Sequence, residues 1–158
     1  MRFLALLIVG LLGALPVRAA DLDQTGLDHA DLTVTTAAGQ AFHFDVEVAK
    51  TEAQQQRGLM FRKSLAPDAG MIFPYERDTM ATFYMKNCYI SLDMLFVAGD
   101  SRITHIMADA KPLFDAQPRE QDLIPSGGPI RLVVEINGGT AAKLGIHVGD
   151  KVVVAAKP

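Results

Sequence analysis

Apolar and polar residues alternate with a period of two over much of the chain, and that period predicts strands rather than helices. Phe42, Phe44, Val46 and Val48 are separated by His43, Asp45 and Glu47, so a pleated strand here has one apolar and one polar side. Leu32-Thr33-Val34-Thr35-Thr36 lies before it across a Gly39-Gln40 turn, and the two segments predict a half-buried antiparallel hairpin. Residues 92–98 are apolar on both faces and meet 102–107 through Gly99-Asp100, which predicts a second hairpin. Met71-Ile72-Phe73 predicts a short buried strand, 79–86 a strand with Ala81, Phe83 and Met85 on one face, and 131–136 and 151–155 the last two.

Helical signals are sparse. Thr51-Glu52-Ala53-Gln54 has the form of a capping box, because a Thr hydroxyl can accept from the third helical N–H while the Gln side chain reaches back. A short helix should follow and end near Gly58, and 140–144 should make a turn or two closed by Gly145. Residues 108–129 contain Pro112, Pro118, Pro125 and Gly127-Gly128 without a period, which predicts an extended surface segment, either a lid or a plain connection. The expected fold is mainly β (α+β): a compact, barrel-like antiparallel sheet of about eight short strands with two short helices.

The chain opens with Met1-Arg2, an apolar run from Phe3 to Leu15, and Val17-Arg18-Ala19. This order of charge, apolar run and small residues predicts a secretory signal peptide over 1–19, with cleavage before Ala20. As a helix the run spans only about 20 Å against a hydrocarbon core of roughly 30 Å, so no permanent membrane anchor is expected after cleavage. Residues 20–31, polar and acidic, should form a flexible leader, and 32–156 a single domain. The expected location is the periplasm or the outside of a bacterial cell. Losing Arg2 and Arg18 takes two positive charges from a chain of net charge −3, and the basic residues left are scattered. Nucleic acid and anionic membrane reward clustered Lys and Arg, so neither is an expected partner. Cys88 is the single cysteine and has no internal partner for a disulfide, so stability must come from packing.

Several short runs recur in a fixed order: Glu47-Val48-Ala49, Arg57-Gly58-Leu59-Met60, Gly70-Met71-Ile72-Phe73, Met85-Lys86-Asn87, Leu92-Asp93, Glu135-Ile136-Asn137-Gly138 and Gly145-Ile146 with Gly149-Asp150. In these runs the chain resembles the domain of unknown function 192 family, from about Phe42 to Val154. The resemblance implies a compact, mainly β domain, often exported, with no established activity, cofactor or catalytic residue. Two positions depart from the family pattern. Tyr84 stands where Trp is usual and Cys88 where Thr is usual, and a nucleophile replaced by Thr in relatives is a poor family nucleophile.

No catalytic residue, metal site or cofactor is read from the sequence. The methionines between Met60 and Met107 repeat no ligand spacing, the four His are dispersed, and Ser126 lacks the strand-turn-helix setting of a nucleophile elbow. Gly149 and Asp150 read as a structural turn, with the Gly supplying the backbone angle and the carboxylate accepting backbone N–H groups. Arg57, Lys86, Asn87, Asp93, Glu135 and Asn137 are the candidate ligand-binding residues, because they are polar within otherwise apolar runs. Such groups must face water or find partners, since an unpaired buried polar group costs about 1–3 kcal/mol. They either form internal pairs, such as Arg57 or Lys86 with Asp93 or Glu135, or converge on a small polar ligand. The functional expectation is a ligand-binding or accessory module for a small polar molecule or a protein. The alternatives are a hydrolase or transferase with a carboxylate base beside Lys86 or Arg57, and a non-catalytic protein-binding or structural module.

Overall fold

The computed structural model describes residues 24–114 and 116–157; the signal peptide expected over 1–19 lies outside the described residues. The strands are β1 (Asp28–Thr35), β2 (Ala41–Val48), β3 (Ala69–Thr79), β4 (Thr82–Phe83), β5 (Leu92–Val97), β6 (Ile103–Ala110), β7 (Ile124–Pro125), β8 (Ile130–Asn137) and β9 (Lys151–Ala156). The helices are α1 (Glu52–Arg57) and α2 (Thr140–Leu144). Seven strands form one sheet in the order β6-β5-β8-β3-β2-β1-β9, and β4 and β7 form a separate two-stranded ribbon.

Both predicted hairpins are present: β1 pairs with β2, placing Leu32 opposite Phe44 and Val34 opposite Phe42, and β5 pairs with β6. Thr51 caps α1 as its sequence requires, its hydroxyl accepting from Gln54 N–H while the Gln54 amide oxygen accepts from Thr51 N–H. Gly145 closes α2 in the left-handed conformation.

Several expectations need correction. The sheet is not wholly antiparallel: β2 and β3 run parallel, because α1 and the turns after it carry the chain back before β3 starts. Nor is it a closed barrel. The edge strands touch at one corner, where Val152 N–H donates to Ser101 O and Ile103 N–H to Asp150 O, without a continuous ladder between them. The strand at Met71-Ile72-Phe73 is the middle of a much longer β3, and the strand expected over 79–86 shrinks to β4. β1 also starts at Asp28, ahead of the domain start expected at Leu32.

The sheet carries a core on each face. Leu32, Val34, Phe44, Val46, Ile72, Leu95, Val134, Ile136 and Val152 pack on one face. Met71, Phe73, Met94, Phe96 and Val133 project from the other, beneath Leu59, Met85, Cys88 and Ile124. This second core explains why β5 is apolar at every alternate position and buried throughout. Phe83 of β4 sets its ring edge-to-face on Phe73 at 5.3 Å and on Phe96 at 5.9 Å, tying the small ribbon to the large sheet. Gly70 is needed where β3 passes β8, since a Cβ there would come within 2.7 Å of the Glu135 carbonyl oxygen.

Candidate functional site

The three central strands place Glu135 at an unusual address. Met71 of β3 and Met94 of β5 are its direct cross-strand neighbours, and both are fully buried. Successive side chains on a strand point to opposite faces, so Glu135 shares the face of Val133, Phe73 and Phe96, that is, the second core. It is 5% exposed and, among the described residues, has no hydrogen-bond or ion-pair partner. No fully enclosed side-chain polar atom among the described residues lacks a partner, so the Glu135 carboxyl group must reach open space.

That space is a cleft of about 260 Å³ between α1, β3, β4 and the segment that follows β4. Phe73, Tyr75, Phe83 and Tyr84 supply aromatic walls, Leu59, Met60 and Cys88 apolar ones, and Gln55, Arg57 and Glu135 polar groups. α1 is placed over the sheet by its capping box and by Gln55, whose side-chain amide donates to Ala49 O and Pro74 O, both at 3.2 Å. Burial pushes the Glu135 carboxyl up to about 8. Burial first, and the Glu135 charge second, push the Cys88 thiol up to about 12 and also raise the Tyr75 phenol. At neutral pH the cleft therefore holds a protonated acid, an inert thiol and a neutral phenol. A Cys88 nucleophile would need a lowered thiol pKa, and this environment works in the opposite direction.

The six candidate residues do not converge. Arg57 and Glu135 share the cleft, with the Arg57 guanidinium 5.1 Å from the centre of the Phe61 ring. Lys86 instead donates to the Gln117 side chain at 2.9 Å. Asn87 adopts a left-handed backbone (φ 56°), which Asn tolerates better than most residues, and its main chain ties Leu113 to Phe61. Asn137 gives its amide to Leu65 O and Ala66 O and borders a separate groove with Phe44 and Thr140. Asp93 is completely buried on the opposite face of the sheet. It accepts N–H groups from Asp109 at 2.7 Å, Gly139 at 2.9 Å and Ala141 at 2.7 Å, fastening β6 and the start of α2 to β5.

The internal pairs expected of Arg57 or Lys86 with Asp93 or Glu135 are thus absent among the described residues. A largely buried pair that the sequence reading missed is Arg62 with Glu47, whose guanidinium and carboxylate meet at 2.5 and 3.0 Å. Tyr75 was also missed, although its spacing of two from Phe73 and four from Met71 was the available signal that it belongs to their face. Ser126 is a turn clamp: its hydroxyl donates to Gly128 O at 2.7 Å and accepts from Ala81 N–H. Asp150 is more than a turn residue. It accepts from His147 N–H within its own turn and also from Ala37 N–H at 2.9 Å, in the β1–β2 turn.

Two solved structures share this architecture. A protein of unknown function from Novosphingobium aromaticivorans DSM 12444 is 44% identical, with a TM-score of 0.74 over 82% of this chain and 87% of its own. A protein from Sinorhizobium meliloti 1021, described as a candidate transcription regulator, is 34% identical, with a TM-score of 0.76 over 84% of this chain and 98% of its own. Nothing matches among curated proteins. The family model for DUF192, an uncharacterised family, matches residues 33–154, and the chain belongs to that family.

Proposed function

We propose that this protein is an exported, single-domain binder of a small, partly apolar molecule, held in the cleft under α1 with a polar head at Glu135. The single observation that carries the reading is a buried carboxyl group, without a partner among the described residues, at an aromatic-walled opening. Leaving such a group unpaired costs free energy that a ligand's donor would recover, and natural interiors pair their buried polar groups. The volume lies just under the span usual for small-molecule sites, about 300–1,000 Å³, so the molecule is small. Export rests on the N-terminal pattern of charge, apolar run and small residues. No helix among the described residues is long and apolar enough to cross a membrane.

The hydrolase or transferase alternative retains one pair, Glu135 with Arg57. A carboxyl group that keeps its proton to about pH 8 enters neutral-pH chemistry as an acid, not as the general base that alternative needs. The regulator description of the Sinorhizobium protein is not extended to this chain, whose net charge of −3 and dispersed basic residues suit nucleic acid poorly.

The test is native mass spectrometry of protein purified from the export compartment, beside its Glu135→Leu variant. A retained small molecule on the wild type, absent from the variant, is the expected result. A bare wild-type mass, with no cleft resonance moved by a library of small polar molecules, overturns the reading.

A further inference from the structure

We infer that the cleft receives a small organic ammonium ion, whose N–H groups donate to the Glu135 carboxylate while its carbon body packs among Phe73, Tyr75 and Phe83. The inference rests on the binding reading above and names its ligand class.

The charge inventory of the cleft points this way. Its acids are Glu52 and Glu135 and its one cation among the described lining residues is Arg57. Glu52 already accepts from the Gln56 amide at 3.1 Å on the exposed side of α1, and Arg57 lies over the Phe61 ring. Glu135 is therefore the deep acid that nothing among the described residues meets, and the side chains beside it in the sheet, Met71 and Met94, cannot donate to it. Aromatic faces carry partial negative charge and attract ammonium groups within about 6 Å, so the rings reinforce the carboxylate. A carboxylate or phosphate ligand would be disfavoured by the rings and, once Glu135 ionises, repelled by its carboxylate. An alcohol would hydrogen-bond to the protonated acid as it stands, so its binding would draw off no proton.

Binding then moves one proton. The free protein holds Glu135 as the acid below about pH 8, the ligand arrives as R–NH3+, and the complex is R–NH3+ against the carboxylate, with the Glu135 proton released to solvent. The titratable and charged groups facing this point are Glu52 and Arg57 from α1, Tyr75 from β3, and Tyr84 and Cys88 from the segment around β4. Tyr75 and Cys88 are both raised, so neither gives up a proton in the range where Glu135 does.

Titration calorimetry on the exported protein tests this with 2-phenylethylamine and butylamine as probes, against 2-phenylethanol and phenylacetate. The amines should bind with release of close to one proton at pH 7, read from buffers of different ionisation enthalpy. Affinity should rise about tenfold from pH 6 to 7 and about fivefold from 7 to 8, the course of a single linked proton lost near pH 8. Glu135→Gln should weaken the amines at least tenfold and abolish the pH slope, with its fold checked by circular dichroism. Phenylacetate or phenylethanol binding as tightly as the amine, or an amine affinity flat in pH, overturns the ammonium inference and leaves the binding reading intact. Failure of both amines to bind also overturns it, and the native mass then decides the broader reading: an adduct keeps it and a bare chain removes it.

Discussion

Asp93 and Glu135 sit one position apart on paired strands, Asp93 opposite Ile136 and Glu135 opposite Met94, and they face opposite sides of the sheet. The difference of one residue gives two buried carboxylates opposite circumstances. Asp93 is saturated by three backbone N–H groups, whereas Glu135 has no protein partner among the described residues. The first is a fastening within the fold and the second is the group that the proposed ligand would meet.

Removing the Asp93 carboxylate strands three backbone donors in the interior. Asp93→Ala should cost roughly 3–5 kcal/mol, since bonds to a charged acceptor and unpaired buried donors are each worth kcal/mol amounts. Urea unfolding with an unchanged m-value measures it, and a loss below about 1 kcal/mol would contradict the role given to Asp93.

Glu135 should make the protein less stable as pH rises. Its pKa is near 4.5 in an unfolded chain and about 8 in the fold, so between these values the folded state holds a proton that the unfolded state has lost. Stability should therefore fall across pH 4.5 to 8 and level off above, by roughly 3–5 kcal/mol in all. Glu135→Gln should remove most of that slope. Urea midpoints taken at several pH values for the two proteins check it, and parallel curves would refute it.

Cys88 is 5% exposed and its thiol is pushed up to about 12. Iodoacetamide at pH 8 should label the native protein at least a hundredfold more slowly than the unfolded chain, because the thiolate is the reactive form. Intact-mass kinetics with and without denaturant read the ratio. Comparable rates would mean that the thiol is open and activated.

Asp150 joins the turn before β9 to the turn between β1 and β2 through His147 N–H and Ala37 N–H. Asp150→Ala should cost roughly 2–4 kcal/mol. Gly149→Ala, at φ 96°, should cost about 1 kcal/mol from backbone strain alone. Amide exchange should quicken at Ala37 in the first variant and not in the second.

Much of the local structure was legible. The alternation from Phe42 to Val48, the Thr51–Gln54 capping box, the Gly145 stop and the Gly99-Asp100 reversal each rest on contacts within a few residues, and each appears where its pattern places it. Polar residues inside apolar runs marked Glu135 and Arg57, and both line the cleft. Their presumed convergence with Lys86, Asn87, Asp93 and Asn137 failed, because a polar residue in an apolar run announces only that it needs a partner. Asn137 found its partners in Leu65 O and Ala66 O, far along the chain.

The sequence by itself determined the elements, the family and the pattern read as an export signal, since hydrophobic period, caps and turn chemistry act over short spans of chain. Tertiary structure decided the parallel β2–β3 pair, the second core and the isolation of Glu135. Strand order and register set which face a side chain occupies and what stands across from it. Those distances join residues far apart in sequence, where no local pattern reaches.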